Sequence, residues 1–320
     1  MIQLSDILKI STAEEFDSVA VEVFRFQASE CAPYREYLRL VGIDPREVRR
    51  TDQIPFLPIE LFKTQRVYCG SREPEAIFTS SSTGGEGESR HYVARTADYD
   101  RTYSEGFRRF YGDPARWSVY ALLPSYLERT GSSLVRMVDG LIRQGRGGGF
   151  YLYDHEQLMA DMAADTGDKI LLGVSYALLD LAERGERLPK GTIVMETGGM
   201  KGHRTEIPKE QMHNTLKQAF GVSRVHSEYG MAELMSQAYS AGEGIFRTPP
   251  WMRVSARNLA DPFETFAVGR GGINITDLAN LHSCAFIQTQ DTGAVSADGS
   301  FTLTGRAHRA DIRGCNLLIQ

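Results

Sequence analysis

Hydrophobic positions along this chain change their period as it proceeds. Between residues 133 and 144, Leu134, Val135, Met137, Val138, Leu141 and Ile142 recur at intervals of three and four, the spacing of one helix face. Ser132 stands where a side chain caps the first turn, and Gly145 where the helix stops. Short apolar runs then alternate with helical stretches. The pattern predicts strands over 150–153, 169–174, 192–196 and 222–225. Between them it predicts helices over 155–164 and 176–184 and one opened by Pro208 that runs to Phe220. Such alternation makes a parallel sheet flanked by helices, an α/β class. After Gly242 the pattern becomes short alternating strands with glycine turns, which predicts a smaller β-rich subdomain. The string RQGRGGGF (143–150) follows a helix instead of opening one, gains no positive dipole end, and reads as a stop and connection.

Three segments carry candidate chemistry. IFTSSSTGGEGESR (77–90) offers the hydroxyls of Ser80, Ser81, Ser82 and Thr83, while Gly84, Gly85 and Gly87 let backbone N–H groups approach an anion. HSEYGMAEL (226–234) follows an apolar run and reads as the end of a strand turning into a loop and helix, at the sheet edge where ligands bind. In it Tyr229 offers a flat ring, Gly230 a close backbone approach and Glu233 a carboxylate suited to magnesium on phosphates. In residues 289–319, Asp291 and Arg306 flank a hairpin turning at Asp298-Gly299, an acceptor and a cation that can face one ligand.

In this order and spacing the segments resemble the motifs of the adenylate-forming enzyme superfamily, TSGTTGxPK, YGxTE and TGD followed by GR. The resemblance covers about residues 77–319 and implies a large amino-terminal-type domain that uses ATP and Mg2+. It further implies that Ser81, Ser82, Thr83, Gly84 and Gly85, entered through Ser80, hold the ATP phosphates. Tyr229 then stacks on adenine within Ser227, Glu228, Tyr229, Gly230 and Met231, Glu233 binds magnesium, and Asp291 and Arg306 hold the ribose. METGGMKGHRTEI (195–207) is similar to the family's second glycine loop, so Gly198, Gly199 and Met200 are expected beside the adenine. LLPSYLERTGSSLVRMVDGLI (122–142) is similar to the segment lining the acyl pocket, which with QIPFLPIELFK (53–63) makes the LuxE-type acyl-protein synthetases the nearest group, with phenylacetate-CoA ligases next. Tyr126, Tyr176 and His226 are candidates for contact with the acid. The family's first-motif lysine is missing, leaving Arg90 as the nearest cation, and Ala232 replaces the threonine of the second motif. The sequence stops at Gln320, where family members continue into a carboxy-terminal domain.

The reaction so implied is activation of a carboxylic acid, fatty or aryl, as acyl-AMP, followed by transfer to a thiol of a protein, carrier or CoA; two other readings stay open, a short acyl-CoA ligase that needs a separate carboxy-terminal partner and a non-catalytic remnant that binds a nucleotide or acyl ligand. Cys315 is the candidate acyl acceptor within the chain. Three parts are expected: a helical lead-in (1–76), an α/β nucleotide- and acyl-binding core (77–241) and the β-rich subdomain (242–320). With a net charge of −5 the chain has no excess of cations for a nucleic-acid backbone. No apolar run approaches the ~18 residues of a membrane span, and no basic leader precedes an apolar stretch, so a cytoplasmic location is expected. Four cysteines far apart in sequence suggest neither a disulfide framework nor a zinc site. The first loop lacks the G-K-[ST] ending of a P-loop, and His226-Ser227-Glu228 has no PCxxC after it, which sets aside kinase and zinc-deaminase chemistry.

Overall fold

A computed structural model describes residues 2–80, 87–124, 131–198 and 207–307. The lead-in contains α1 (Leu4–Ile7), α2 (Ala13–Glu30), α3 (Ala32–Leu40), β1 (Leu57–Pro58) and α4 (Leu61–Thr64), and a hairpin pairs β2 (Ala76–Thr79) with β3 (Arg90–Val93). Next come α5 (Thr96–Tyr111), β4 (Trp117–Leu122), α6 (Ser133–Gln144), β5 (Gly147–Phe150), α7 (His155–Ala164), β6 (Asp168–Val174) and α8 (Ser175–Ala182). They are followed by β7 (Thr192–Thr197), α9 (Lys209–Phe220), β8 (Val225–Tyr229) and β9 (Ala238–Ser240). The remaining strands are β10 (Met252–Arg257), β11 (Thr265–Phe266), β12 (Gly269–Asp277), β13 (Phe286–Val295) and β14 (Phe301–Arg306).

One six-stranded sheet has the order β5-β4-β6-β7-β8-β9, parallel except for β9. Another runs β1-β13-β12-β10-β11, with β14 antiparallel to β13. This is the expected α/β class with a β-rich carboxy-terminal part. Helix ends follow the chemistry of their residues. Ser132 accepts from the Val135 N–H at 3.3 Å, Asp154 from Gln157 at 3.0 Å, and Gly221 closes α9 in the left-handed conformation. Thr12 and Glu15 form a capping box that opens α2.

The lead-in is built into the β-rich sheet. β1 pairs in parallel with β13, Leu57 opposite Ile287, and Phe24, Tyr34 and Phe56 surround the ring of Phe286. Gln27, fully buried, donates to Asn280 and Leu281 carbonyls and accepts from Ala285 N–H, which satisfies its amide. Cys31 and Cys69, far apart in sequence, are antiparallel bridge partners; both are buried and free.

Two sequence readings are corrected. The strand expected over 150–153 lies at Gly147–Phe150, inside the string read as a connection. A Cβ at Gly148, whose φ is +107°, would overlap the Val119 carbonyl, so glycine permits this edge strand to lie against β4. The strand expected over 222–225 begins at Val225 and continues through His226, Ser227, Glu228 and Tyr229. No helix follows; the chain turns and returns as β9. Burial on both faces, not polarity, decides the length of β8. No helix among the described residues is long and apolar enough to cross a membrane.

Candidate functional site

Tyr229 ends β8, and its hydroxyl donates to Asp291 Oδ2 at 2.6 Å, joining two segments 62 residues apart. Asp291 on β13 is the register partner of Arg306 on β14, whose Nε lies 3.4 Å from Asp291 Oδ1. The Asp291 side chain is largely buried, whereas Arg306 extends into solvent. The Tyr229 ring packs edge-on against Phe246 and Phe301. Burial, then the Asp291 charge, drives its hydroxyl far above the usual phenol range. Arg257 braces this corner from beneath: fully embedded, it donates to the carbonyls of Ile273 and Thr289 and to Asn274 Oδ1. Thr289 Oγ1 accepts from the Asp291 N–H.

The same corner reaches the hydroxyl and glycine loop. Ser80 Oγ accepts from the Ser89 N–H at 3.1 Å and Ser80 N–H donates to Ser89 O, so the two shoulders of that loop are tied together. The Ser89 hydroxyl bonds the Glu233 carboxylate. Glu233 is buried, and burial lifts its pKa against that hydrogen bond and the attraction of Arg306. His91 Nδ1–H donates to the Ala232 carbonyl at 2.8 Å and fastens β3 to the 230–236 turn; burial pushes its pKa down to about 4. Arg90 opens β3, exposed and in register with Thr79.

On the other side of β8, Glu228 accepts from Thr197 Oγ1 at 2.5 Å. A Cβ at Gly230 would stand 2.5 Å from Glu228 Oε1, so glycine is needed where the chain leaves β8. Ser227 is fully buried and faces Glu196 across β7. The Gly198 carbonyl accepts from Ser175 at 2.8 Å. His226 contacts the Tyr111 hydroxyl at 3.1 Å, and burial, helped by Arg224, holds its pKa down at about 4. Met231 Sδ lies 3.8 Å from the Tyr229 hydroxyl.

A cleft of about 1190 Å³ lies beside these residues, lined by His226, Tyr111, Tyr239, Phe246 and Lys209 among others. Phe246 is shared between the cleft and the packing around Tyr229. Tyr176, on α8, packs against the core and does not line this cleft. Ser81, Ser82, Thr83, Gly84, Gly85, Tyr126, Gly199, Met200 and Cys315 lie outside the described residues.

Sequence reasoning missed a second charged cluster. Glu196, buried on β7, receives Lys209 Nζ at 2.6 Å and has His213 Nε2 at 3.6 Å, both from α9. Burial works to raise the Glu196 pKa, but His213 and Lys209 outweigh it and the group remains below the usual value. Glu196 stood in the quoted METGG string, and an acidic residue inside an apolar strand was the available signal.

The fold is shared with solved structures. ATP-bound MatB from Rhodopseudomonas palustris matches at 17% identity and a TM-score of 0.56, over 74% of this chain and 50% of that one. The inhibitor-bound N-terminal domain of FACL13 from Mycobacterium tuberculosis matches at 14% identity and a TM-score of 0.52, over 75% and 62%. The luciferase-like enzyme of the nonluminescent Zophobas morio mealworm matches at 15% and 0.51, over 74% and 59%. The chain spans about half the length of MatB. No protein-family profile and no curated protein matches the chain in sequence. The likeness is one of fold: the amino-terminal-type domain that the three motifs led one to expect.

Proposed function

We propose that this protein activates a carboxylic acid with ATP, forming acyl-AMP and pyrophosphate, and passes the acyl group to a thiol of a protein, a carrier or CoA, in the manner of the acyl-protein synthetases. The observation that carries the reading is the contact of Tyr229 with Asp291 beside Arg306, with Glu233, which feels the charges of Arg306 and Asp291, hydrogen-bonded to Ser89 at the shoulder of the hydroxyl loop. Residues of the second and third motifs stand together with a flank of the first, which supports this reading, and a structural neighbour of this fold is described as ATP-bound.

In this reading the Asp291 carboxylate accepts the ribose hydroxyls; with about four lone-pair sites it can retain the Tyr229 hydroxyl as well. Arg306 supplies a cation at the same edge, and residues 80–85 supply hydroxyl and N–H donors to the phosphates. Gly198, Gly199 and Met200 with residues 227–231 border the base. The acid carboxylate is already ionised at neutral pH, so no general base is needed. Its oxygen attacks the α-phosphorus, the bond to the bridging oxygen breaks, and both electrons leave with pyrophosphate. Catalysis is positioning and charge neutralisation, and Arg90 is the nearest cation on the loop side. Among the described residues no group of three or more His, Cys, Asp and Glu could hold a metal. One buried carboxylate, Glu233, fits Mg2+ held mainly by substrate phosphates, where the ion would neutralise phosphate charge. The division at residues 76 and 241, the cytoplasmic location and the acceptor role of Cys315 belong to the same proposal.

ATP–pyrophosphate exchange across a panel of acids tests it. Asp291→Ala is expected to raise the KM for ATP by about tenfold or more, the loss of a charge-assisted bond to ribose. ATP binding with no exchange for any acid would overturn the proposal.

A further inference from the structure

Cys31 and Cys69 stand opposite one another in an isolated antiparallel bridge, and both are free thiols. Residues opposed in this way hold their Cα atoms about 4.5–5.5 Å apart and send their side chains to one side. That lies within the span of about 4.4–6.8 Å that a disulfide bridges. The two side chains already hydrogen-bond to each other. Their distance along the sequence hid the pair.

The surroundings of the two sulfurs differ. Cys31 is the N-cap residue of α3. The hydrogen bond from Cys69 outweighs burial and, helped by the backbone of Tyr34 and Tyr68 and the charge of Arg35, holds the Cys31 thiol below its usual pKa. The same bond, then burial, holds the Cys69 thiol above its usual value, and Cys69 also shares its proton with the Ser283 carbonyl at 3.1 Å. One sulfur is thereby prepared to attack as a thiolate and its neighbour to follow as a thiol. Cys284 is a contrast: burial drives its thiol far up, and its Sγ donates to the Phe286 carbonyl.

The pair is covered but shallow. Cys31 has no exposed surface and Cys69 only 3%, yet Ser29, Glu30 and Ala32 are exposed, as are Gly70 and residues 71–73. Residues 71–74 make no backbone–backbone hydrogen bond among the described residues. Such a stretch opens at little cost, and its opening admits a reactant the size of water.

We propose that Cys31 and Cys69 form a reactive dithiol that hydrogen peroxide converts to a disulfide. The Cys31 thiolate attacks one peroxide oxygen, the O–O bond breaks and hydroxide leaves with both electrons, so that Cys31 becomes a sulfenic acid. The Cys69 sulfur then displaces the hydroxyl group as the S–S bond forms, and its proton departs with that group as water. The two sulfurs lose two electrons, the peroxide gains them, and the two thiol protons end in two molecules of water. The crosslink ties the α2–α3 corner to the segment that enters β2, the strand leading into the hydroxyl loop. It forms whether or not the protein adenylates an acid.

Peroxide treatment of the reduced full chain, followed by alkylation in denaturant and peptide mapping, tests this. Two of the four thiols should become resistant to alkylation, in a single disulfide between Cys31 and Cys69 that dithiothreitol reverses. Cys69→Ser should leave Cys31 as a sulfenic acid trapped by dimedone. Cys31→Ser should slow peroxide consumption about tenfold or more, since Cys69 keeps its proton. The oxidised protein should melt about 4 °C or more above the reduced one, because the crosslink restricts the unfolded chain. Where a serine variant does not fold, mapping of the unaltered chain decides. Four thiols that all remain open to alkylation, a crosslink through Cys284 or Cys315, or an oxidised form that melts lower overturns the inference.

Discussion

In the parallel sheet β4, β6 and β7 are buried along nearly their whole length, while in the antiparallel sheet β10 and much of β13 alternate between buried and partly exposed positions. Helices on both faces hide every side chain of a parallel strand, so a polar residue there needs an internal partner. Glu196 takes Lys209, Glu228 takes Thr197, and both stand at the carboxyl ends of their strands. The antiparallel sheet places charge by register instead, Asp291 opposite Arg306 at the open end of the β13–β14 hairpin. The candidate site forms where concealed polar strand ends from one sheet meet register-paired charges from the other. The parallel sheet supplies seclusion and the antiparallel sheet supplies charge that solvent and ligand can reach.

The comparison breaks most sharply at Arg257, where the antiparallel sheet, like its neighbour, buries a cation. Replacing it by leucine removes the donor to the Thr289 carbonyl and the Asn274 amide oxygen, while the Ile273 carbonyl keeps the Thr289 hydroxyl. Arg257→Leu should cost roughly 3 kcal/mol, the sum of the unmet buried acceptors less the gain from an apolar side chain. Urea unfolding with an unchanged m-value checks it. A loss below about 1 kcal/mol would mean that register alone holds the Asp291 strand in place.

Helices of the parallel half were legible because their signals are local. The apolar stripe and Ser132 fixed α6 to its observed bounds, and Pro208 marked the start of α9. β8 was misjudged because His226, Ser227 and Glu228 look like loop residues. Their strand is completed by partners on β7, β9 and α5, which no local pattern reveals. Motif order put Tyr229 and Asp291 in one expected site, and the two are hydrogen-bonded to each other. The Glu196, Lys209 and His213 cluster draws its residues from two elements and had no such order to announce it.

The seam between the two halves should respond to acid. His91 on β3 holds the 230–236 turn as a neutral ring with a pKa of about 4, against an ordinary 6.5. Between those values the unfolded chain binds the proton that the folded chain refuses, so the stability His91 supports is present above pH 6.5 and is lost as pH falls toward 4. By pH 5 the loss is roughly 2 kcal/mol. His226 acts in the same direction, whereas Asp277, raised to about 6 by burial, gains relative stability over part of the same range. Only a difference isolates the His91 contribution. His91→Gln retains a donor for the Ala232 carbonyl, and its urea midpoint should fall less than that of the wild type between pH 7 and pH 5. Parallel curves would show that the seam does not depend on the neutral ring.

The smallest expected effect falls on the parallel half alone. Ser132 Oγ accepts from Val135 N–H at the start of α6, one residue beyond Gly131, whose carbonyl accepts from the Thr79 N–H. Ser132→Ala should cost about 1 kcal/mol through the lost cap. Because that cap lies next to the tie between α6 and β2, the strand that leads into the hydroxyl loop, it also offers a fine test of where the loop is anchored. If Ser80 and Ser89 hold the loop from the β2–β3 side, the variant should melt lower and yet keep the wild-type KM for ATP. A KM that rises with the loss of the cap would move the anchor of the loop from the hairpin to the parallel sheet.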